Sequence, residues 1–260
     1  MTKTTLITGG TSGIGLALAK EFAKNKFDLV ITGRTMDRLE KVAAELRSTF
    51  DVSVLPIENN LSNPQASKRL HDSLAQQGVK VDVLVNNAGF GAQGAFVNTD
   101  LALELDMIQV NITALTELVK LFLPGMIARG QGKILNVAST AAFQPGPFFA
   151  VYFATKAYVL SFTEAIAEEA RGTGVTVTAL CPGPTATDFA KRAGTEGKGI
   201  FRQGTVMAVH ELARIGYQGL MSGQPVVIAG WRNQGVVFLL RLAPRRLVAR
   251  IVRSLMESTL

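Results

Sequence analysis

The chain has 260 residues, enough for one large α/β domain with a substantial buried core. A 47% hydrophobic and 18% charged content excludes a disordered chain, and the single cysteine, Cys181, excludes an internal disulfide and suits a reducing compartment such as the cytoplasm. The formal charge of +7 comes with no nucleic-acid-binding motif, and much of it lies beyond Trp231, where Arg232, Arg241, Arg245, Arg246, Arg250 and Arg253 stand against Glu257.

The start runs directly into a strand-like segment, Thr4 to Thr8, so no secretory leader is expected. No apolar run reaches the roughly 18 residues that span a bilayer. Gly9-Gly10-Thr11-Ser12-Gly13-Ile14-Gly15 follows, then a helical pattern through Asn25. Glycines between a strand and a helix let the backbone approach a pyrophosphate and aim helix N–H groups at it. Asp28 to Thr32 reads as a second buried strand, ending at Gly33-Arg34. In a dinucleotide fold an acid at this strand end binds the adenosine 2′-hydroxyl, whereas a cation accepts a 2′-phosphate. Gly33 takes the acid's place here, so Arg34 reads as a phosphate partner; the alternative is a solvated arginine opening the helix Met36 to Ser48.

Val52 to Ile57 is a third strand, closed by Asn59-Asn60-Leu61-Ser62. Pro64 to Gln77 reads as a polar-faced helix and Val81 to Val85 as a fourth strand, which runs into Asn86-Asn87-Ala88-Gly89. Alternation of strand and helix argues a doubly wound, Rossmann-like parallel sheet of about seven strands with helices on both faces, in a single domain over 1–260. Ligands of such sheets sit beyond the C-terminal strand ends, where Asn87-Ala88-Gly89 leaves room. Thr99 to Leu123 reads as a long helix that contains Asn111 and is disturbed or ended by Pro124.

Lys133 to Ala138 is the fifth strand and delivers Ser139. The loop after it is apolar and aromatic, with Phe143 expected on a pocket wall and Phe149 in the core. Tyr152 and Lys156 stand one turn apart at the head of a helix, Tyr152 to Arg171, and so share a face. A phenol with its ordinary pKa of about 10 is a poor acid at neutral pH, and an ammonium beside it favours the phenolate. With a serine hydroxyl aimed at the same spot, the three suit a carbonyl. Val175 to Leu180 is the sixth strand, leading into Cys181-Pro182-Gly183-Pro184-Thr185-Ala186-Thr187, a rigid turn on the ligand side. Asp188 to Gln203, polar and poorly periodic, suggests a lid (188–203). Thr205 to Met221 is another helix and Pro225 to Ala229 a last strand. In the basic tail (231–260), Leu247, Val248, Ile251, Val252 and Leu255 recur at helical spacing after Pro244, with Arg246, Arg250 and Arg253 on other faces. Docking of that stripe on the chain's own domain or a partner subunit is favoured over contact with an anionic membrane surface.

Together these residues resemble the short-chain dehydrogenase/reductase family over nearly the whole chain. The family's Thr-Gly-x-x-x-Gly-x-Gly corresponds to Thr8, Gly9, Gly13 and Gly15, its Asn-Asn-Ala-Gly to Asn86, Asn87, Ala88 and Gly89, and its helix asparagine to Asn111. Its Ser with Tyr-x-x-x-Lys falls on Ser139, Tyr152 and Lys156, and its Pro-Gly turn on Pro182-Gly183, with Thr185 and Thr187 where the nicotinamide amide is usually held. The resemblance implies Asn111, Ser139, Tyr152 and Lys156 as catalytic residues. It implies NADP(H) as cofactor, held by Gly9, Thr11, Ser12, Gly13, Ile14, Gly15, Arg34, Asn60, Leu61, Asn87, Ala88, Gly89, Tyr152, Lys156, Pro182, Gly183, Thr185 and Thr187; no metal is implied. Asn60 departs from the family, many of whose members carry an adenine-contacting aspartate there, yet an amide oxygen can still accept from an adenine amino group.

In the implied chemistry Tyr152 protonates a carbonyl oxygen that Ser139 polarises, Lys156 lowers the Tyr152 pKa and holds the nicotinamide ribose, and Asn111 positions a water that links Lys156 to solvent. Phe90, Phe96, Phe143 and Phe148 favour a hydrophobic ketone, aldehyde or 3-oxoacyl substrate, and the lid cations Lys191, Arg192, Lys198 and Arg202 fit an anionic acyl carrier. A catalytically idle dinucleotide-binding scaffold is the alternative. The apolar faces of the helices Thr99 to Leu123 and Tyr152 to Arg171 resemble those that pair subunits in this family, so a homo-oligomer, at least a dimer, is expected.

Overall fold

The computed structural model describes residues 2–185 and 206–257; Thr187, the expected lid and Thr205 lie outside them. Seven strands, β1 (Thr4–Thr8), β2 (Asp28–Gly33), β3 (Val54–Glu58), β4 (Val83–Asn86), β5 (Gly132–Val137), β6 (Val175–Cys181) and β7 (Val226–Ile228), form one sheet in the order β3-β2-β1-β4-β5-β6-β7. Every neighbouring pair is parallel. This is the doubly wound sheet that the alternation of elements predicts. The order reverses between β1 and β4, which opens a crevice beyond their C-terminal ends.

The period-two side-chain alternation of the strands builds two cores, one on each face. Leu6, Val30, Leu84 and Ile134 point to one face, covered by α3 (Ala66–Gln76), α5 (Ala114–Ala128) and α6 (Ala150–Glu169). Ile7, Leu29, Ile31, Val85 and Leu135 point to the other, covered by α1 (Gly13–Lys24), α2 (Met36–Phe50) and Val209–Met221. Full burial of each such Leu or Ile side chain stabilises the fold by about 1.5–3 kcal/mol.

The long helix differs from expectation in two ways. It runs through Pro124 to Ala128, as the apolar stretch Leu101–Ala128. The carbonyl that loses its helical donor there belongs to Lys120, which is exposed, so water can replace the missing bond. The actual irregularity lies earlier, in a π-turn, Gln109–Thr113, between α4 (Leu101–Ile108) and α5. By length and composition Leu101–Ala128 could cross a membrane, contrary to the expectation of no such stretch, but Met107, Leu118 and Val119 are buried in the fold, as in a core helix.

Beyond β7 the chain forms two more helices, Trp231–Leu242 and Arg245–Glu257. With Val209–Met221 as α7, these are α8 and α9. Val248, Val252 and Met256 of α9 are buried against Ala141, Phe149 and Phe153, so one stripe of the tail docks on its own domain and Phe149 is a core residue as expected. Phe143 is partly buried against the core beside the site.

Candidate active site

The glycine turn after β1 and the turn after β4 are fastened together. Thr8 Oγ1 accepts from the N–H groups of Asn87 and Ala88, both at 3.0 Å, and Asn87 Nδ2 donates to Thr8 O at 2.9 Å and Gly9 O at 3.2 Å. Gly9 is left-handed at φ +65°, and a Cβ on Gly15 would sit 2.2 Å from Gly9 O and 2.4 Å from Asn87 Nδ2. Only a bare backbone fits that crossing. Ser12 at the N-cap position of α1 makes no side-chain cap bond, so among the described residues the helix's first N–H groups are left available to a ligand.

At the end of β2, Gly33 packs closely on Thr11, where a Cβ would meet Thr11 Cγ2 at 3.1 Å. Arg34 follows, exposed and without an ion pair among the described residues. Asn60 Oδ1 accepts from Ser62 N at 3.2 Å, which folds the β3 loop so that Leu61 is buried.

Tyr152 and Lys156 lie in the first two turns of α6 and face the ends of β4 and β5. A buried polar ladder sets that rotation. Asn86 Nδ2 donates to Asn136 Oδ1 at 2.9 Å, Asn136 Nδ2 to Thr163 Oγ1 at 3.0 Å, and Thr163 lies two turns beyond Lys156 on the same face. Lys156 Nζ donates to Val137 O at 2.8 Å and lies 5.8 Å from the Tyr152 ring centroid. Ser139 Oγ accepts from Ala141 N at 3.1 Å, approaches Pro182 O at 3.5 Å, and hydrogen-bonds the Tyr152 side chain. Gly183 and Thr185 continue the β6 turn, with Thr185 Oγ1 donating to Gly183 O at 2.9 Å.

Burial pushes the Tyr152 phenol up to about 12, against the opposing pull of its bond with Ser139. Burial pushes Lys156 down to about 8, opposed by Cys181. In the free chain the Lys156 ammonium is bonded to Val137 and faces the ring. With burial raising its pKa, the phenol keeps its proton at neutral pH, as a proton donor requires.

Asn111 is almost fully buried in the π-turn. Its Oδ1 accepts from Phe90 N at 3.1 Å, while Nδ2 donates to Phe90 O at 2.9 Å and Thr155 Oγ1 at 3.1 Å. Its side-chain amide thus clamps the β4 loop to α6. A Cβ on Gly89 would meet Asn111 Oδ1 at 2.8 Å and Lys156 Nζ at 3.6 Å, so the clamp brings that loop up to the lysine.

The sequence profile described as short chain dehydrogenase matches residues 3–198. The chain belongs to the short-chain dehydrogenase family, and with it to the oxidoreductases. A very-long-chain 3-oxoacyl-CoA reductase of Bos taurus is 35% identical over 191 residues, 72% of this chain and 60% of that protein; the chain therefore spans less than two thirds of that relative's length. An NADP-dependent 3-hydroxy acid dehydrogenase of Schizosaccharomyces pombe is 31% identical over 238 residues, 87% of this chain and 90% of that one. The solved structure of a short-chain dehydrogenase from Sphingobium yanoikuyae in complex with NADPH has a TM-score of 0.84 at 32% identity and covers 94% of each chain.

Measured against the family pattern, Ser139, Tyr152 and Lys156 converge at the ends of β5 and α6, and the glycine turn, Asn87-Ala88-Gly89 and the Pro182 turn surround them. Thr187 lies outside the described residues. One residue, Thr155, and one contact, that of the Phe90 backbone, escaped the sequence reading. Thr155 binds both Tyr152 O at 2.7 Å and the Asn111 amide, and the Phe90 backbone takes the rest of that amide. A polar residue at i+3 from Tyr152 among apolar neighbours was a signal for the first; the second is a backbone contact with no sequence signature.

Proposed function

We propose that the protein is an NADP(H)-dependent oxidoreductase that interconverts the carbonyl and alcohol of a hydrophobic substrate, of ketone, aldehyde or 3-oxoacyl type. The observation that carries this reading is Tyr152 bonded to Ser139, one turn from a buried Lys156, beside a glycine turn that admits only backbone. The bound nicotinamide supplies or accepts the hydride. Tyr152 gives its proton to the substrate oxygen, and Ser139, already accepting from Ala141, turns its hydroxyl hydrogen to that same oxygen. Below about pH 8 Lys156 is charged and stabilises the phenolate left behind. Asn111 is a positioning residue that holds Gly89 and Phe90 in place. Arg34 takes the adenosine 2′-phosphate, its planar guanidinium being suited to bidentate binding.

Half-buried Phe90, Phe143 and Phe148 beside the site support an apolar substrate. The printed functions of the Bos taurus and Schizosaccharomyces pombe relatives, reduction of 3-oxoacyl-CoA and oxidation of 3-hydroxy acids, support the acyl class. Leu101, Leu105 and Ile108 of α4 form an exposed stripe, with Tyr158 of α6 also exposed, and we assign a homo-oligomeric contact to these faces. The lone buried Cys181, whose thiol burial pushes up to about 12, suits the cytoplasm.

The test is a panel of hydrophobic ketones, aldehydes and 3-oxoacyl thioesters assayed with NADPH and with NADH. Some member should be reduced with a clear preference for NADPH, and Arg34→Ala should cut that preference roughly 10- to 100-fold, as for a hydrogen-bonded charge pair of about 1.5–3 kcal/mol. Absence of turnover across the panel removes the catalytic reading. Equal use of both cofactors by the wild type makes Arg34 a surface charge.

A further inference from the structure

We propose that α8 and α9 seat this protein on an anionic lipid surface. Docking of the tail and contact with a membrane use different stripes of the same helices. Around the axis of α9 the buried Val248 and Val252 come first, then the exposed Leu247 and Ile251, and then Arg246, Arg250 and Arg253. The apolar arc is therefore wider than the seam it packs into, and its outer edge runs straight into a row of arginines.

Helix α8 carries the stronger signal. An ordinary surface helix shows polar residues to water. Here Trp231, Phe238, Leu239 and Leu242, spaced as one helical face, are all exposed, Trp231 at 77% and Leu242 at 71%. Val237, on the opposite side, is buried. Arg232 and Arg241 fall on the two flanks of that exposed face, about 80–100° from its centre on a helix of 3.6 residues per turn. Arg232 lies against the Trp231 ring, 5.2 Å from its centroid. An apolar face rimmed on both sides by arginine, with an indole at one end, is the composition of a helix lying in a headgroup region. The stem of each arginine covers apolar surface while its head stays at the phosphates.

Charge selects the occupant. All six arginines of the two helices are exposed; Arg253 pairs with Glu257, and Arg241, Arg245, Arg246 and Arg250 have no ion pair among the described residues. A second copy of the chain is a poor fit, because a two-fold contact through this face would bring the arginine sets of both copies together. A surface dense in phosphate satisfies both the apolar arc and its rim.

The experiment uses the full-length chain, sedimented with vesicles of phosphatidylcholine alone or mixed with phosphatidylglycerol, at physiological and at high salt. The protein should pellet with the mixed vesicles, should not pellet with phosphatidylcholine, and should be released by salt. Arg241→Ser with Arg246→Ser should lower partitioning about fivefold per arginine. Leu239→Ser with Leu242→Ser should abolish it, with far-UV circular dichroism and melting unchanged because those side chains are exposed. If either variant fails to fold, the wild-type lipid and salt comparison decides alone. Failure to pellet with either vesicle, or salt-insensitive pelleting with phosphatidylcholine alone, overturns the proposal. So does a dimer in light scattering that both variant pairs break without any vesicle binding.

Discussion

Helix α6 buries Thr155, Lys156 and Thr163 among apolar side chains, whereas α8 leaves Trp231, Phe238, Leu239 and Leu242 in solvent. Each arrangement runs against the usual partition of a helix into an apolar inside and a polar outside. The difference lies in compensation. Thr155 bonds Tyr152 O and Asn111, Lys156 bonds Val137 O, and Thr163 bonds Val159 O and Asn136, so every buried polar group of α6 is answered within the fold. The exposed face of α8 has no such answer among the described residues. A violation that the fold satisfies internally marks a built site; one that it leaves open points to something outside the chain.

The largest break in that comparison should come from pH. Lys156 is held near 8 by burial, so above that value it loses the proton that stabilises the Tyr152 phenolate, and kcat/KM for carbonyl reduction should fall about tenfold per pH unit. Stability should move the other way between about 8 and 9, because the unfolded lysine still binds a proton there and the folded one does not. Between about 9 and 10 Cys181, pushed up to about 12 by burial, keeps its proton only when folded and cancels that rise; above about 10 Tyr152, likewise pushed up to about 12, adds the same effect and stability falls. A pH–rate profile beside thermal melts in the same buffers separates the two effects; activity and stability falling together from pH 8 would contradict the assignment.

Thr155→Val keeps the shape of the side chain but removes one partner of the buried Asn111 amide. A loss of about 1–3 kcal/mol in denaturant unfolding is expected, with lowered turnover because the Gly89 loop loosens. The counterpart in the tail is Leu239→Ser, which exchanges an exposed apolar group for a polar one and should change stability by no more than about 0.5 kcal/mol. A large destabilisation at Leu239 would mean that its face is covered by protein.

How far the sequence carries follows the same division. Strands such as Asp28–Gly33 and Gly132–Val137, buried on both faces, read directly from their apolar runs, and the glycine turn from its spacing. The helical period of α9 was legible, but of the residues expected to dock only Val248 and Val252 are buried, joined by Met256, while Leu247, Ile251 and Leu255 stay exposed. The π-turn at Gln109–Thr113 was not, because Asn111 is drawn into place by Phe90 and Thr155, which only the fold brings near. Nor was the passage of the helix through Pro124, which depends on Lys120 facing water. The pairing of Tyr152 with Lys156 could be seen from four-residue spacing, but not the burial that raises the one pKa and lowers the other in the free chain.

The central claim is that Tyr152 is the proton donor of a dinucleotide-dependent carbonyl reduction, and Tyr152→Phe tests it most directly. NADPH binding, followed by fluorescence titration, and turnover of a carbonyl accepted by the wild type should be measured on the same preparation. The account predicts binding close to wild type and turnover reduced by roughly 10²- to 10⁴-fold, the usual contribution of a general acid. A folded variant that binds NADPH and reduces the carbonyl at the wild-type rate would contradict it.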